Sequence, residues 1–327
     1  MEKKQISSIS ISGEITLNLH SLNNEGGEGN QTITRQLTIV NKDGKEYIVN
    51  GISGDMFKHI HAAYLINYSK ENNLKLCSNC QVGNPNRLSG GNDLANYFSN
   101  SDIKTLEDKN ITDAIINLCA VDDGHGVLVT SIGKQNRNLA RKSVIEFGWT
   151  VGIPEKNNTE TYLHIKIVPD SAGKRGESSN VGQNIFHRPA NHGVYAFVCS
   201  IDVYRLGLND ISRTYPIDNK EREKRYKAIL QSLINTFIDP KGAMTSTQKP
   251  HITDFKGVVT TSNKLIPAPT ISAINPNYKE EIQKIVQNLN KIENNAINLL
   301  NFNGLGQLSE IFVELMETQP YAIPQKE

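Results

Sequence analysis

The chain has 327 residues with 35 Lys and Arg against 34 Asp and Glu, so its formal net charge is +1, and 37% of its residues are hydrophobic. This length can bury a sizeable core. The near-neutral charge argues against a polycation that coats nucleic acid indiscriminately, although local basic clusters remain open. No run of about 18 apolar residues could span a membrane, and the amino terminus is too polar for a signal-peptide core. With four cysteines, we expect a cytoplasmic protein that has no disulfide scaffold and no membrane partner.

The amino-terminal part predicts strands followed by a helix. Residues 6–20 alternate between apolar and polar side chains, which indicates a strand with an interruption near Gly13. A Gly- and Asn-rich loop over 21–30 follows, and then two strands joined by a hairpin turn. Ser53 has the character of an N-cap for a helix that we expect to end near Ser69.

The middle of the chain predicts an insertion and a long hairpin. Residues 70–140 are polar and Asn-rich with short helical stretches, which favours an inserted subdomain. Strands resume over 142–149 and 161–168. Residues 169–193 contain several glycines and are too long for an ordinary turn, so we expect an extended hairpin or a long loop there.

The remaining elements complete an α+β pattern. An apolar strand is predicted over 193–204, and another strand over 258–266. Helices are predicted over 220–237, 278–300 and 305–316, and the mixed charges at the start of the first indicate a solvated face. Without the insertions, the order is strand, helix, strands, helix, strand, which is the split βαβ pattern of an RRM-like or ferredoxin-like core.

Motifs of the common enzyme classes are absent from the sequence. It contains no P-loop, no zinc-protease helix and no nucleophile elbow. The segment 122–126, Asp-Asp-Gly-His-Gly, could serve a metal or acid–base site. Adjacent carboxylates point in different directions in most backbones, so a solvated turn is favoured. We therefore expect no catalytic residue and no cofactor.

Cys77 and Cys80 have the spacing of half a zinc knuckle. A structural zinc site needs four ligands, and the sequence has no second Cys pair. His59, His61, Cys119 or His125 could complete the site only through tertiary contact. Free thiols are favoured, so no metal is predicted.

The start of the helix at Ser53 is the best local signal for a phosphate. The free N–H groups of a helix terminus favour an anion, and Lys58 adds a cation in the next turn. Asp55 competes for the same helix terminus. The alternative is a capped core helix with a solvated lysine.

Two further basic segments would suit a phosphate backbone. The first holds Lys134, Arg137, Arg141 and Lys142, with an ordinary solvated loop as the alternative. In the second, 174–188, the pairs Lys174-Arg175 and His187-Arg188 lie with Phe186 in the expected hairpin. A basic hairpin with an apolar side chain could grip a single strand and push between its bases. The alternative is a flexible loop.

Together these segments resemble a known family. They are the strand 9–19, the stretch 50–61 that reads Asn-Gly-Ile-Ser-Gly-Asp-Met-Phe-Lys-His-Ile-His, the strand 141–149 and the stretch 189–196. The chain is similar over roughly residues 5–275 to the DevR-type backbone subunit of type I CRISPR Cascade, the Cas-seven family of the RAMP superfamily. It is closest to the I-A/I-B branch.

The resemblance implies an architecture and a set of partners. It implies an RRM-like palm of residues 1–69 and 141–275, an inserted helical subdomain over 70–140, a thumb β-hairpin over 166–193 and a C-terminal helical segment over 276–327. Copies would stack head to tail along the CRISPR guide RNA, and each thumb would displace a base. Target DNA would be recognised by guide pairing, with other Cascade subunits as further partners.

The resemblance also implies roles for individual residues. Lys58 occupies the position of a lysine that meets guide phosphate in the family, Ser53 lies at the preceding cap, and His59 stands where relatives often carry arginine. The residues expected at the RNA are Asn30, Arg35, Ser53, Gly54, Lys58, His59, Arg137, Arg141, Lys142, Lys174, Arg175, Phe186, His187 and Arg188.

We therefore expect a non-catalytic RNA-binding subunit of a type I Cascade, nearest to I-B, acting in antiviral defence. One alternative is a metal-dependent endoribonuclease, because type III relatives cleave target RNA with an aspartate in the loop after the first strand. That loop here contains Glu25 and Glu28 but no aspartate, and Asp55 is the third candidate acid. Another alternative is a subunit of a transposon-associated Cascade that guides DNA integration.

Overall fold

A computed structural model describes residues 3–99, 106–132, 137–167 and 183–324. The α+β class is confirmed. The strands are β1 (Gln5–Ile6), β2 (Ser8–His20), β3 (Asn24–Glu28), β4 (Gln31–Thr34), β5 (Gln36–Val40), β6 (Glu46–Ile52), β7 (Val127–Ile132), β8 (Arg137–Arg141), β9 (Ile145–Phe147), β10 (Thr150–Ile167), β11 (Gln183–Ile201), β12 (His251–Ser262), β13 (Ile297–Asn303) and β14 (Gln319–Pro320). The helices are α1 (Gly54–Glu71), α2 (Ser78–Gln81), α3 (Asp93–Tyr97), α4 (Asp108–Leu118), α5 (Ala120–His125), α6 (Asn219–Ile238), α7 (Tyr278–Ile292) and α8 (Leu305–Met316). None of these helices is both long and apolar enough to cross a membrane.

A ten-stranded sheet organises the chain, with the main path β13-β12-β2-β11-β10-β6-β5. The central pairs are antiparallel. Strand β2 runs antiparallel to both of its neighbours, β11 and β12, and β9 runs antiparallel to β11. The central order is therefore β12-β2-β11-β9. The helices α1 and α6 connect these strands in the predicted succession of strand, helix, strands, helix, strand.

The alternation along β2 sends its two sets of side chains to opposite faces of the sheet. Ile9 and Ile11 belong to the larger hydrophobic cluster, whereas Ser10 and Ser12 face the other side. There the Ser10 hydroxyl donates to the Ala268 carbonyl over 3.0 Å, and the chain segment after β12 is thereby held against the sheet.

The expected interruption of this strand near Gly13 is wrong. Gly13 pairs with Gly257 of β12, and a Cβ on Gly257 would stand 2.2 Å from the Ser12 carbonyl oxygen. The glycines thus allow two strands to approach closely beneath Phe302, and β2 remains continuous.

The larger hydrophobic cluster lies under α1, α6 and α8. Its aromatic rings meet mostly edge to face, and Phe197 lies 5.5 Å from Phe57 and 5.1 Å from Phe237, measured between ring centroids. On the other face, α7 buries Tyr278 and Ile282 in a second, smaller cluster. Both faces of the sheet are therefore covered.

The insertion shares the larger cluster with the sheet. Leu74, Ile111, Ile115 and Val121 are buried in the same apolar group as the Ile and Phe side chains of the central strands. The insertion is therefore packed directly on the sheet and α1.

The prediction of a solvated turn at 122–126 is wrong. This segment lies largely in α5, where Asp122 and Asp123 are fully buried and His125 is 2% exposed. Burial raises the pKa of the Asp122 carboxyl to about 8. Asp123, in contrast, is surrounded by donors.

Asp123 is the centre of a buried ion-pair cluster. Its carboxylate accepts from Arg141 Nη2 over 2.7 Å and from Arg225 Nη1 over 3.0 Å, and the Gly207 N–H donates to it over 3.0 Å. Arg141 also donates to Asp210 Oδ2 over 2.8 Å. The cluster ties α5 to β8, to α6 and to the loop after β11.

Two sequence predictions are corrected by the burial of these and neighbouring arginines. The Arg141 side chain is fully buried and its guanidinium is engaged by two aspartates, so it is not the free surface cation that we expected. The expected solvated face at the start of α6 is also interrupted, because Arg222 and Arg225 are each 1% exposed.

The C-terminal segment is not entirely helical. The predicted helix over 278–300 ends at Ile292, and the chain continues into β13, which pairs antiparallel with β12 from Ser262↔Ile297 to Lys256↔Asn303. Hydrogen bonding to the open edge of β12 outweighs the helical spacing of the apolar residues near Leu300.

We expect Asp123→Asn to lower the free energy of unfolding by about 3–5 kcal/mol, because it leaves two buried arginines without their counter-charge. Urea unfolding followed by circular dichroism measures this change. Lys142→Ala is the control. Its exposed ion pair with Glu146 predicts a change within about 0.5 kcal/mol, and equal losses in both variants would contradict the central role of Asp123.

A pair of buried histidines joins α1 to α5. His61 Nε2 lies 3.0 Å from the Ile229 carbonyl oxygen, which can only accept, so Nε2 carries the proton. His61 Nδ1 then accepts from His125 Nε2 over 2.7 Å. Burial lowers the pKa of His61 to about 4, and burial together with nearby cations lowers that of His125 well below its usual value.

These histidines predict a loss of stability in acid. Below about pH 6.5 these histidines bind protons in the unfolded chain but stay neutral in the folded chain. The free energy of unfolding therefore falls by about 1.4 kcal/mol per pH unit for each histidine that stays neutral. Unfolding free energies at about pH 7.5 and 5.5 should therefore differ less in His61→Phe than in the parent. His59→Ala, which alters an exposed histidine, should leave the difference unchanged, and an unchanged difference in His61→Phe would contradict the prediction.

Candidate nucleic-acid interface

The start of α1 is fixed by contacts with neighbouring strands and loops. The Met56 N–H donates to Ser53 Oγ over 3.2 Å, and the Ser53 N–H donates to Asn23 Oδ1 over 2.7 Å. A Cβ on Gly54 would stand 2.3 Å from the Phe147 carbonyl oxygen. Ser53 and Gly54 therefore set the position of the helix, and a direct contact of either with RNA stays a prediction.

A groove of about 970 Å³ lies where α1 meets the insertion. Lys58 and His59 line it from α1, whereas Arg87 lines it from the 3-10 turn Arg87–Gly90 of the insertion. Arg87 Nη1 donates to the Gly126 carbonyl over 2.6 Å, which holds the guanidinium beside the start of β7. Two cations from distant parts of the sequence thus share one groove.

The two cations of this groove are close to carboxylates but form no ion pair with them among the described residues. Burial lowers the pKa of Lys58, and the positive charge of Arg87 lowers it further, while Asp55 and Glu146 act in the opposite direction. Within the described ranges of the chain, neither Lys58 nor Arg87 forms an ion pair. An anion in the groove would relieve the repulsion between the two cations, which suits a phosphate group.

A buried polar network positions the strand that leads into α1. The Asn50 side-chain amide donates to Thr34 Oγ1 over 3.0 Å and to the Arg35 carbonyl over 2.8 Å, and its oxygen accepts from the Tyr195 hydroxyl over 3.0 Å. Asn191 donates to the same Thr34 hydroxyl over 3.0 Å. The end of β6 is thereby joined to β4 and to β11.

The strands β10 and β11 continue beyond the sheet as the arms of a hairpin. Their register runs from Asn157↔Gly193 to Ile167↔Gln183. The predicted thumb range 166–193 therefore misses most of the β10 arm, which already begins at Asn157. Residues 168–182, which include Lys174 and Arg175, lie outside the described residues.

A bulge separates the arms from the sheet. The register shifts between Gly152 and Asn157, and Gly193 has a φ of 143°. A Cβ on Gly193 would stand 2.3 Å from the Lys156 carbonyl oxygen. The Asn50 N–H donates to Asn157 Oδ1 over 3.1 Å, which attaches the bulge to the strand before α1.

The two faces of the hairpin differ in chemistry. Directly paired residues share a face, so Tyr162, His164, Phe186 and Arg188 form an aromatic and basic face. The opposite face carries Leu163, Ile165, Ile185 and His187. Its three aliphatic side chains are 42–57% exposed.

The aromatic face is ordered by ring contacts. The rings of His164 and Phe186 stack with centroids 5.4 Å apart and planes at 8°. The Arg188 guanidinium lies 4.7 Å from the centroid of Phe186 and also donates to Thr247 Oγ1 over 3.2 Å. This face offers a stacking platform and a cation, the two elements with which proteins hold single-stranded nucleic acid.

Asn30 and Arg35 lie near the base of the hairpin and the neighbouring strands. The His187 N–H donates to the Asn30 carbonyl over 2.8 Å. The Arg35 guanidinium pairs with Glu25 and lies 5.3 Å from the centroid of Trp149, which is 42% exposed.

The remaining predicted residues are separated. Lys142 is exposed and pairs with Glu146 over 3.0 Å, and Arg137 begins β8. The structure thus brings together Lys58 with His59, and Asn30 with Phe186, His187 and Arg188. It buries the Arg141 side chain in the ion-pair cluster.

Four candidate binding residues, Arg87, Trp149, Tyr162 and His164, were not predicted from the sequence. Arg87 has no basic neighbour in an Asn-rich segment, so nothing local distinguishes it. His164 becomes informative only through its register with Phe186, which a single sequence does not supply. Trp149 could have been selected, because it is the single tryptophan of the chain and ends the segment 141–149 that carries part of the family resemblance.

Comparison with solved structures gives weak similarity. A chain of a CRISPR RNA-guided surveillance complex aligns at 11% identity with a TM-score of 0.46, covering 95% of this chain and 98% of that one. The Csc2 structure of Thermofilum pendens aligns at 13% identity with a TM-score of 0.37, covering 95% and 85%.

Sequence comparisons identify the family. A Methanocaldococcus jannaschii protein described as CRISPR-associated protein Cas7/Cst2/DevR is 29% identical over 86% of this chain and 89% of its own. A Thermoproteus tenax protein with the same description is 23% identical over 70% and 67%. The family model described as CRISPR-associated negative auto-regulator DevR/Csa2 matches residues 11–283. This match confirms the resemblance, and the chain belongs to the DevR/Csa2 family of CRISPR-associated proteins.

Proposed function

We propose that this protein is a non-catalytic backbone subunit of a type I Cascade, of the I-B branch, that binds CRISPR guide RNA. Copies polymerise head to tail along the guide and, with other Cascade subunits, support recognition of target DNA in antiviral defence. The central strand order β12-β2-β11-β9 with α1 and α6 supports an RRM-like palm for this subunit.

The observation that carries the proposal is the pair of cations in the groove. Lys58 and Arg87 line one groove from two walls, with no ion-pair partner among the described residues. A guide phosphate between them would be held by two charge-assisted contacts without any reading of base sequence. Such sequence-independent contacts are what a subunit needs when guides of any sequence must fit.

The hairpin supplies the second element of the proposal. The rings of His164 and Phe186 and the Arg188 guanidinium together form a surface on which a displaced base can stack, while the guanidinium neutralises a nearby phosphate. The exposed aliphatic side chains of the opposite face are available to a neighbouring copy.

The first test is whether the purified protein carries a short RNA of uniform length.

Lys58→Ala together with Arg87→Ala should weaken binding of a labelled single-stranded RNA. It should also reduce the slope of log affinity against log salt by about 0.7 for each phosphate that is no longer neutralised. Fluorescence anisotropy over a salt series measures both effects.

The matched control removes two cations elsewhere on the surface. Lys284→Ala with Lys291→Ala takes the same charge from exposed positions on α7, which packs on the opposite face of the sheet. This control should keep the parent's affinity and slope. Equal losses in the two double variants would mean that the groove is not the binding site.

A second test addresses the hairpin. Phe186→Ala should lower the affinity for single-stranded RNA by about 1–3 kcal/mol, because one stacking platform is removed. Ile185→Ala truncates the adjacent side chain on the opposite face and should leave the affinity of a single copy unchanged. If both variants bind RNA equally well, the aromatic face has no role in stacking.

The proposal of a non-catalytic subunit is tested against the endoribonuclease alternative. Glu25 pairs with Arg35, and Glu28 is exposed. Asp55 lines the groove beside Lys58. Complementary RNA added to the guide-loaded complex with magnesium should remain intact on a denaturing gel. Cleavage of the RNA at regular intervals would instead support the endoribonuclease alternative, provided that it is lost in Glu25→Gln, Glu28→Gln or Asp55→Asn.

A further inference from the structure

Three thiols and one carboxylate converge between the insertion and α5. The sulfur atoms of Cys77, Cys80 and Cys119 and a carboxylate oxygen of Asp122 all lie within 4.8 Å of one another. All four side chains are buried, and each cysteine is a free thiol. The sequence offered Cys119, alongside three histidines, as a distant partner for the Cys77–Cys80 pair, but it did not suggest Asp122.

Two short helices deliver these side chains in the same way. Cys77 precedes α2, and the Cys80 N–H donates to its sulfur over 3.4 Å. Cys119 precedes α5, and the Asp122 N–H donates to its sulfur over 3.5 Å. Each helix therefore places a cysteine at its cap and a second ligand three residues later, so Cys-x-x-Cys and Cys-x-x-Asp face one point.

The distances agree with a tetrahedral site. Zinc bonds of about 2.3 Å to sulfur and about 2.0–2.2 Å to oxygen place neighbouring ligand atoms about 3.5–3.8 Å apart in a tetrahedron. Asp122 Oδ2 lies 3.3 Å from the Cys77 sulfur and 3.8 Å from the Cys80 sulfur. Small side-chain adjustments would bring the four atoms around one ion.

The protein groups alone leave this cluster poorly satisfied. The Oδ2 atom of the Asp122 carboxyl group accepts from the thiols of Cys77 and Cys80, which are weak donors, and its Oδ1 has no hydrogen-bond partner among the described residues. A buried carboxylate without a cation or strong donors is costly. By contrast, Asp123, the next residue, is held by two arginines, so Asp122 stands out within the same helix.

We propose that Cys77, Cys80, Cys119 and Asp122 bind a structural zinc ion. Thiolates in a tetrahedral set select zinc over the hard cations, which prefer oxygen ligands in larger numbers. Four protein ligands in a buried cluster leave no position for substrate, so the site is structural. Binding displaces the protons of the thiols, and the N–H groups of Cys80 and Asp122 stabilise the resulting thiolates.

The ion would connect two parts of the groove wall. α2 leads into the loop of Val82, Gly83 and Asn84, which lines the groove together with Arg87. α5 leads into Gly126, whose carbonyl accepts a hydrogen bond from Arg87. Zinc joining α2 to α5 therefore fixes the segment that carries Arg87. The zinc site does not require that the groove bind RNA.

Metal content of the full chain tests the proposal. Protein purified without a histidine tag or chelator should contain about one zinc per chain by inductively coupled plasma mass spectrometry. Cobalt exchanged into the parent should give the strong visible bands of a tetrahedral thiolate site. Cys119→Ser should lower the zinc content at least about fivefold, whereas Cys199→Ser, at a buried cysteine of β11 outside the cluster, should retain it.

Several results would overturn the inference. One is folded parent protein that holds little zinc and takes up none from zinc chloride. Another is full zinc content in Cys119→Ser, and a third is an intact mass lower by two hydrogens, which would indicate a disulfide in the cluster. The cobalt spectrum of the parent decides the matter if Cys119→Ser fails to fold. RNA content is recorded separately, so failure of the RNA-binding proposal would not be mistaken for failure of the zinc site.

Discussion

The buried carboxylate of Asp123 is the constraint on which the rest of the structure depends. A charge at 0% exposure is tolerated only because Arg141, Arg225 and the Gly207 N–H surround it. These partners belong to β8, α6 and the loop after β11, so one carboxylate holds the insertion against the sheet. Apolar packing alone would allow the insertion to shift, whereas directional charge-assisted bonds allow one placement.

The groove follows from this placement. Lys58 reaches it from a helix that the sheet supports, and Arg87 reaches it from the insertion, so the pair exists only when the two parts are docked as observed. The buried cations Arg141 and Arg225 and the groove cations Lys58 and Arg87 thus have different roles. The former are neutralised and hold the fold together, while the latter are left for a ligand.

Local sequence patterns predicted the elements whose causes are local. The alternation around Ile9 and Ile11, the cap at Ser53 and the strand that contains Phe197 all appear as expected, because periodicity and capping act within a few residues. Predictions failed where a distant partner decides. Arg141 is 18 residues from Asp123 along the chain and Arg225 is 102 residues from it, so neither charge could be recognised as buried. β13 formed because the edge of β12 was open, which the spacing near Leu300 does not reveal.

The bulge at Gly193 has a mechanical consequence. Because its backbone lies in a conformation open to glycine and a Cβ would collide with the Lys156 carbonyl, the angle at which the hairpin leaves the sheet is set by the absence of one side chain. Asn157, held by the strand before α1, locks that angle. The orientation of the whole hairpin is thus set at its base, by Gly193 and Asn157. A single substitution at Gly193 would redirect its aromatic face while leaving every residue of that face intact.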